Sequence, residues 1–102
     1  MNLSDISGFD WDAGNSRKNE KHGVSQMEVE QLFVNVPLVT VADARHSQTE
    51  PRFHALGRSD NGRLLHVTFT IRKSNTLIRP ISARDMHRKE RTIYEQANKA
   101  GS

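Results

Sequence analysis

Two alternating stretches, Arg52 to Arg58 and Arg63 to Arg72, flank Ser59-Asp60-Asn61-Gly62. Period-two alternation on both sides of an Asn-Gly turn is a strong short-range signal for a β-hairpin, and it constrains this chain more than any other feature. With the pairing centred on Asn61, one face of the hairpin carries Phe53, Ala55, Leu65, Val67, Phe69 and Ile71, a core. The other carries Arg52, His54, Arg58, His66, Thr68 and Arg72. Cations and imidazoles held together on a rigid sheet suit a surface that handles phosphate. The plainer reading is an ordinary solvated sheet face.

The rest of the chain supplies elements for that hairpin to pack with. Residues 1–8 hold little to bury and read as a flexible N-terminal tail. Phe9-Asp10-Trp11-Asp12 alternates like a short half-buried strand, and Asp12 can cap a helix over 13–22 that stops at Gly23. Ser25 and Glu28 have the capping-box spacing, with Val24 and Val29 as a hydrophobic staple. They predict a helix over 25–34, ended by Asn35 and Pro37. Val36 to Ala42 is rich in β-branched residues and reads as a strand, and 43–51 as a loop.

Lys73-Ser74-Asn75 turns the chain into a strand over 76–82, where Pro80 implies an edge or a bulge; two registers fit this second hairpin. Ala83 to Met86 reads as a linker to a last helix over 87–98, with Ile93, Tyr94 and Ala97 along one side. The order β-α-α-β-β-β-β-α makes one α+β domain over 9–99, with a mainly antiparallel sheet, helices on one of its faces, and residues 100–102 as a C-terminal tail.

Composition narrows the chemistry. The chain has no Cys, which removes disulfides, thiolate nucleophiles and Cys-ligated zinc. Its longest apolar runs are three residues, too short for a spanning helix or a signal peptide, so a soluble, cytoplasmic protein is expected. The five His residues show no zinc-motif spacing, and neither a phosphate-binding glycine loop nor a serine-hydrolase elbow occurs, so no metal or cofactor is expected. Charge is split: residues 1–50 carry four Lys and Arg against eight acids, residues 51–102 eleven against four. A second half at +7 implies an anionic partner, nucleic acid first, unless it is a solvated basic face.

Those exclusions leave metal-independent chemistry on a phosphodiester. RNA brings its own nucleophile, the 2′-hydroxyl, so the protein must position it, move protons and stabilise the phosphorane. Arginine forks suit this because they grip two phosphate oxygens at once. Arg58, Arg84 and Arg88 are the sequence candidates for phosphate, and Lys21 or His22 for acid–base work. Arg84 has the competing possibility of an ion pair with Asp43 or Glu30, and His22 of capping backbone carbonyls.

A set of blocks along the chain carries a resemblance. Phe9-Asp10-Trp11-Asp12, Lys21-His22-Gly23-Val24-Ser25, Arg45-His46-Ser47, Arg52-Phe53 and Gly57-Arg58-Ser59 come first. Gly62-Arg63-Leu64, Phe69-Thr70, Ile78-Arg79-Pro80-Ile81-Ser82-Ala83-Arg84 and Met86-His87-Arg88-Lys89-Glu90 follow. In order and spacing they resemble the BrnT family of bacterial toxins, which are similar to small RelE-type ribonucleases. The resemblance implies a RelE-like α+β fold and a metal-independent endoribonuclease that inhibits translation. It also implies neutralisation by a BrnA-like ribbon-helix-helix antitoxin, in a complex of two toxins with two antitoxins that contacts operator DNA only through the antitoxin. Carried onto this chain, it assigns Lys21, His22, Arg58 and Arg84 to catalysis and Arg45, His46, Arg88 and Lys89 to substrate binding. This chain has Pro80 where many relatives have Ile, and His87 where many have a Ser or Thr cap. Both departures bear on the start of the last helix.

Two readings compete with a ribonuclease toxin. One is a nucleic-acid-binding module without cleavage, which the low aromatic content leaves short of stacking platforms. The other is a toxin-like subunit whose basic groove binds an acidic antitoxin segment.

Overall fold

The computed structural model describes residues 3–45 and 50–100. Chain order is a 3-10 turn at Leu3–Asp5, then β1 (Gly8–Phe9), α1 (Ala13–Glu20), α2 (Gln26–Val34), β2 (Val39–Asp43), β3 (Arg52–Arg58), β4 (Leu64–Arg72), β5 (Leu77–Asp85) and α3 (Arg88–Ala100). The strands form one sheet in the order β1-β5-β4-β3-β2, antiparallel except for the parallel β1–β5 pair. This is the α+β architecture expected. No described helix is long and apolar enough to cross a membrane.

The central hairpin pairs about Asn61, with Phe53 opposite Phe69, Ala55 opposite Val67 and Arg58 opposite Leu64. Gly62 takes a left-handed φ of 81° in the connection, which Ser59 closes by exchanging backbone hydrogen bonds with Arg63 and Gly62. The core face then follows from parity. Ala55, Leu65, Val67 and Phe69 are fully buried against Val24, Val29 and Leu32 of the α2 region. Phe33 meets the edge of Phe69 at 5.0 Å and Phe53 stacks on it at 5.5 Å. Both early helices start as their sequences require. Asp12 and Asn15 form one capping box, Ser25 and Glu28 the other. Gly23, at φ 71°, ends the first.

Five expectations change. Residues 3–8 are not simply a tail: Leu3 and Ile6 pack on the core, and the strand is Gly8–Phe9, bonded alongside β5. The strand after Pro37 begins at Val39 rather than Val36. The second hairpin uses two registers, with Phe69 opposite Pro80 but Thr68 opposite Ser82, because a bulge just after Pro80 inserts Ile81. Past the bulge β5 continues to Asp85, so Ala83–Asp85 are strand rather than linker. Finally, the helices do not share one face. Leu56 and Leu64 lie on the face read as polar, and with Met86, Tyr94 and Val39 they make a second core under α3. Tyr94 also donates to the Pro37 carbonyl at 3.1 Å, tying α3 to the chain entering β2.

Candidate active site

The face under α3 is only partly covered. Beside the second core lies a groove of about 410 Å³, lined by Val39, Val41 and Leu56, by His54, His66, Arg84 and Glu90, and by Ile93. Each polar member is set by register. His66 and Arg84 are paired across β4 and β5, and His54 sits diagonally from His66 across β3 and β4. Their rings are 5.0 Å apart between centroids.

The two imidazoles belong to a hydrogen-bonded chain. His54 Nε2 lies 2.9 Å from Asp43 Oδ2, and His54 Nδ1 lies 3.0 Å from His66 Nε2 and 3.1 Å from Thr68 Oγ1. A carboxylate only accepts, so His54 Nε2 carries a proton toward Asp43. In the tautomer with its proton on Nε2 alone, His54 accepts at Nδ1, and His66 Nε2–H is its donor. That order leaves the lone pair of neutral His66 on Nδ1. Burial, reinforced by the nearby Arg84 guanidinium, pushes His66 down from an ordinary 6.5 to about 4, so its imidazole is neutral at pH 7.

Arg84 is held in a fork. Its two Nη atoms donate to the Glu90 oxygens at 2.7 and 3.0 Å, and one of them also reaches the Asp85 carbonyl at 3.1 Å. Neither Asp43 nor Glu30 is its partner: Asp43 holds His54, and Glu30 accepts from Trp11 Nε1 at 2.9 Å. Glu90 serves two elements, because its Oε1 also accepts the His87 backbone N–H at 2.8 Å. This is the N3-to-cap half of a capping box, and it satisfies the start of α3 without a Ser or Thr side chain at the cap. The Arg84 fork, opposed by partial burial and aided by the His87 N–H, lowers the Glu90 carboxyl to about 2. Glu90 therefore stays ionised and positions Arg84.

The other sequence candidates scatter around this centre. Arg58 is exposed at the end of β3, close enough to oppose the upward shift that burial gives the Tyr94 phenol. Arg88 and Lys89 are exposed in the first turn of α3. Arg45 is exposed past β2, with its N–H donated to Asp43 at 3.0 Å. His46 lies outside the described residues. Lys21 and His22 are exposed at the end of α1 and do not line the groove. Their turn reaches the sheet through Arg63, which donates to the Gly23 carbonyl at 2.8 Å and forks onto Asp85 at 2.8 and 3.1 Å.

Sequence reasoning put His54 and His66 on the right face but left them, Asp43 and Glu90 out of the site. The face alternation was the available signal for the two histidines. Asp43 depends on its pairing opposite Arg52, and Glu90 on β5 running straight into the turn before α3. Among the described residues no three His, Asp or Glu side chains converge as a set of metal ligands.

No curated protein gives a match to the chain. A family model described as the ribonuclease toxin BrnT of type II toxin–antitoxin systems spans residues 11–90, which covers both early helices, all of β2 to β5 and the Arg84–Glu90 fork. The chain belongs to the BrnT family of type II ribonuclease toxins.

Proposed function

We propose that this toxin is a metal-independent endoribonuclease whose cleavage site is the groove between the sheet and α3. The observation that carries the reading is the meeting, in one groove, of a forked arginine with a buried neutral imidazole backed by a second imidazole and a carboxylate. Arg84 grips the scissile phosphate and the charge that develops on it; a guanidinium has five donor hydrogens, more than Glu90 takes up. His66 Nδ1 accepts the proton of the 2′-hydroxyl as that oxygen bonds to phosphorus and the bond to the 5′-oxygen breaks. The Nε2 proton of His66 then passes to His54, whose imidazolium sits against the Asp43 carboxylate, and returns by the same route to reset the site. The leaving 5′-oxygen takes a proton from a water molecule, the hydroxide left takes the Nδ1 proton of His66 as the Nε2 proton returns, and the products carry a 2′,3′-cyclic phosphate and a 5′-hydroxyl. Arg58, Arg45, Arg88 and Lys89 serve as contacts for the strand on either side of the scissile position, and the family resemblance adds His46 to that role.

Lys21 and His22 represent a different assignment of the acid–base role, made from the sequence and again by the family resemblance. The two assignments separate by substitution: if His66 moves the proton, His66→Gln abolishes cleavage while His22→Gln leaves most of it.

A ribonuclease toxin of a type II system has RNA as its substrate and an antitoxin as its partner. We assign that partner as a BrnA-like ribbon-helix-helix protein, with two toxins and two antitoxins per complex and operator DNA touched only by the antitoxin.

The deciding experiment uses the purified, partner-free chain and single-stranded RNA in EDTA, with the fragment ends mapped. Cyclic-phosphate ends that disappear with Arg84→Lys, which keeps the charge but loses the fork, support the site, and the expected loss is about 10² to 10³ in rate. Intact RNA both alone and with translating ribosomes, from a folded protein, would leave a binding subunit in place of an enzyme.

A further inference from the structure

The hairpin face that carries the groove does not end at His54. Arg52 follows two residues along β3, about 7 Å away at strand rise, and Arg72 stands on the same face at the end of β4. There the sheet and α1 enclose a second cleft, of about 270 Å³, walled by Lys18, Arg52, Arg72 and Arg79 with Thr70 at the strand pair. Lys18 comes from α1, Arg52 and Arg72 from the central hairpin, and Arg79 from β5, so the convergence is a product of the fold and not of one basic run.

The acid on this wall is Glu50, which accepts from Arg72 at 2.9 and 3.3 Å. The Arg72 hydrogen bond and then the fields of Arg72, Arg79 and Arg52 hold the Glu50 carboxyl below the usual carboxylate range. Three guanidinium groups therefore act on one anion position. Arg79 is itself held by Asp12 at 2.8 Å and Asp10 at 3.5 Å, which fixes it on the β1 side.

We infer that this cleft is a second phosphate-binding site, taking the backbone phosphates of the RNA strand that leaves the groove past His54 and Thr68. It rests on the cleavage reading above in that the ligand is the same strand. It adds a direction, with the RNA lying along β3 and β4 from Arg84 toward Arg72 and not across the strands. Glu50 occupies the anion position when no RNA is bound, and a phosphate displaces it or shares its donors.

The test is equilibrium binding of a non-cleavable 2′-O-methyl single-stranded oligonucleotide as a function of salt. Each phosphate contact to a single strand contributes about 0.7 to the slope of log affinity against log salt. Arg72→Gln should lower that slope by about 0.7 and weaken binding, whereas Glu50→Gln should tighten it. Both substitutions break the same ion pair, so a purely structural consequence would move them together; opposite signs identify the charge of the cleft. Affinity and slope unchanged in both variants, or shifted in the same direction, would overturn the cleft while leaving the groove untouched. A wild-type chain that does not bind the oligonucleotide at all would overturn the cleavage reading as well.

Discussion

Neutral His66 makes the fold sensitive to mild acid, by an amount that follows from its surroundings. In the folded chain the imidazole titrates near 4, in the unfolded chain near 6.5. Between those values the unfolded state binds one more proton, so this group lowers stability as pH falls from 6.5 toward 4 and adds nothing further below. At about 1.4 kcal/mol per unit the full effect is ~3 kcal/mol, of which ~2 kcal/mol is already felt at pH 4.5. That is a large share of the stability of a small domain. The groups facing His66 are His54 from β3, Arg84 from β5, and His87 and Glu90 at the start of α3. Glu90, at about 2, keeps its charge throughout the window. The assay is urea unfolding followed by circular dichroism at pH 7 and pH 4.5, for the wild type and His66→Gln. Subtracting the variant removes the titrations the two chains share. The wild-type advantage should shrink by about 2 kcal/mol on going to pH 4.5. An advantage constant within about 0.5 kcal/mol would mean that His66 is solvated and would refute the dry, cation-flanked setting argued for its imidazole.

Three further outcomes test the packing that holds the groove. A Cβ at Gly57 would stand 2.7 Å from Leu32 Cγ and 3.3 Å from the Leu32 carbonyl, so Gly57→Ala should destabilise by about 1–3 kcal/mol in denaturant unfolding. Arg63 joins the Gly23 carbonyl, Glu28 and Asp85 across the end of the sheet. Arg63→Met, which keeps the apolar stem, should cost about 1–2 kcal/mol and speed amide exchange in the turn after α1. Tyr94→Phe deletes the hydrogen bond to Pro37 but keeps the ring in the second core; a loss near 1 kcal/mol is expected, against about 3–5 kcal/mol for Tyr94→Ala.

What could be read from the sequence was what local chemistry decides. The hairpin about Asn61 has two faces whose parity survives any choice of partner, and the Ser25–Glu28 box starts α2 with its own side chains. What could not be read was decided between distant segments. Pro80 leaves two registers nearly equal, and the fold uses one on each side of a bulge, which is why β5 runs on to Asp85 and carries Arg84 in a strand. The alternation from Phe9 to Asp12 puts the first strand too late, and Gly8, with no strand signal of its own, joins Phe9 in it because β5 offers an open side.

The second core was hidden for a related reason. Leu56 and Leu64 interrupt a face otherwise made of Arg, His and Thr, and two apolar residues in such a row look incidental until Met86 and Tyr94 close over them. That interruption also locates the chemistry. Under α3 the face is dry enough to hold Leu56 and, just beside it, to keep His66 without a proton. Two residues further along β3 from Leu56 lies His54, and two beyond that Arg52, where the face opens to Arg72 and the cationic cleft. One strand thus grades from an apolar site, through an imidazole relay, to a surface for phosphates. A site that must depress an imidazole and still admit a polyanion needs both ends of that gradient. An alternating strand partly covered by a short helix supplies them in the space of five residues, from Arg52 to Leu56.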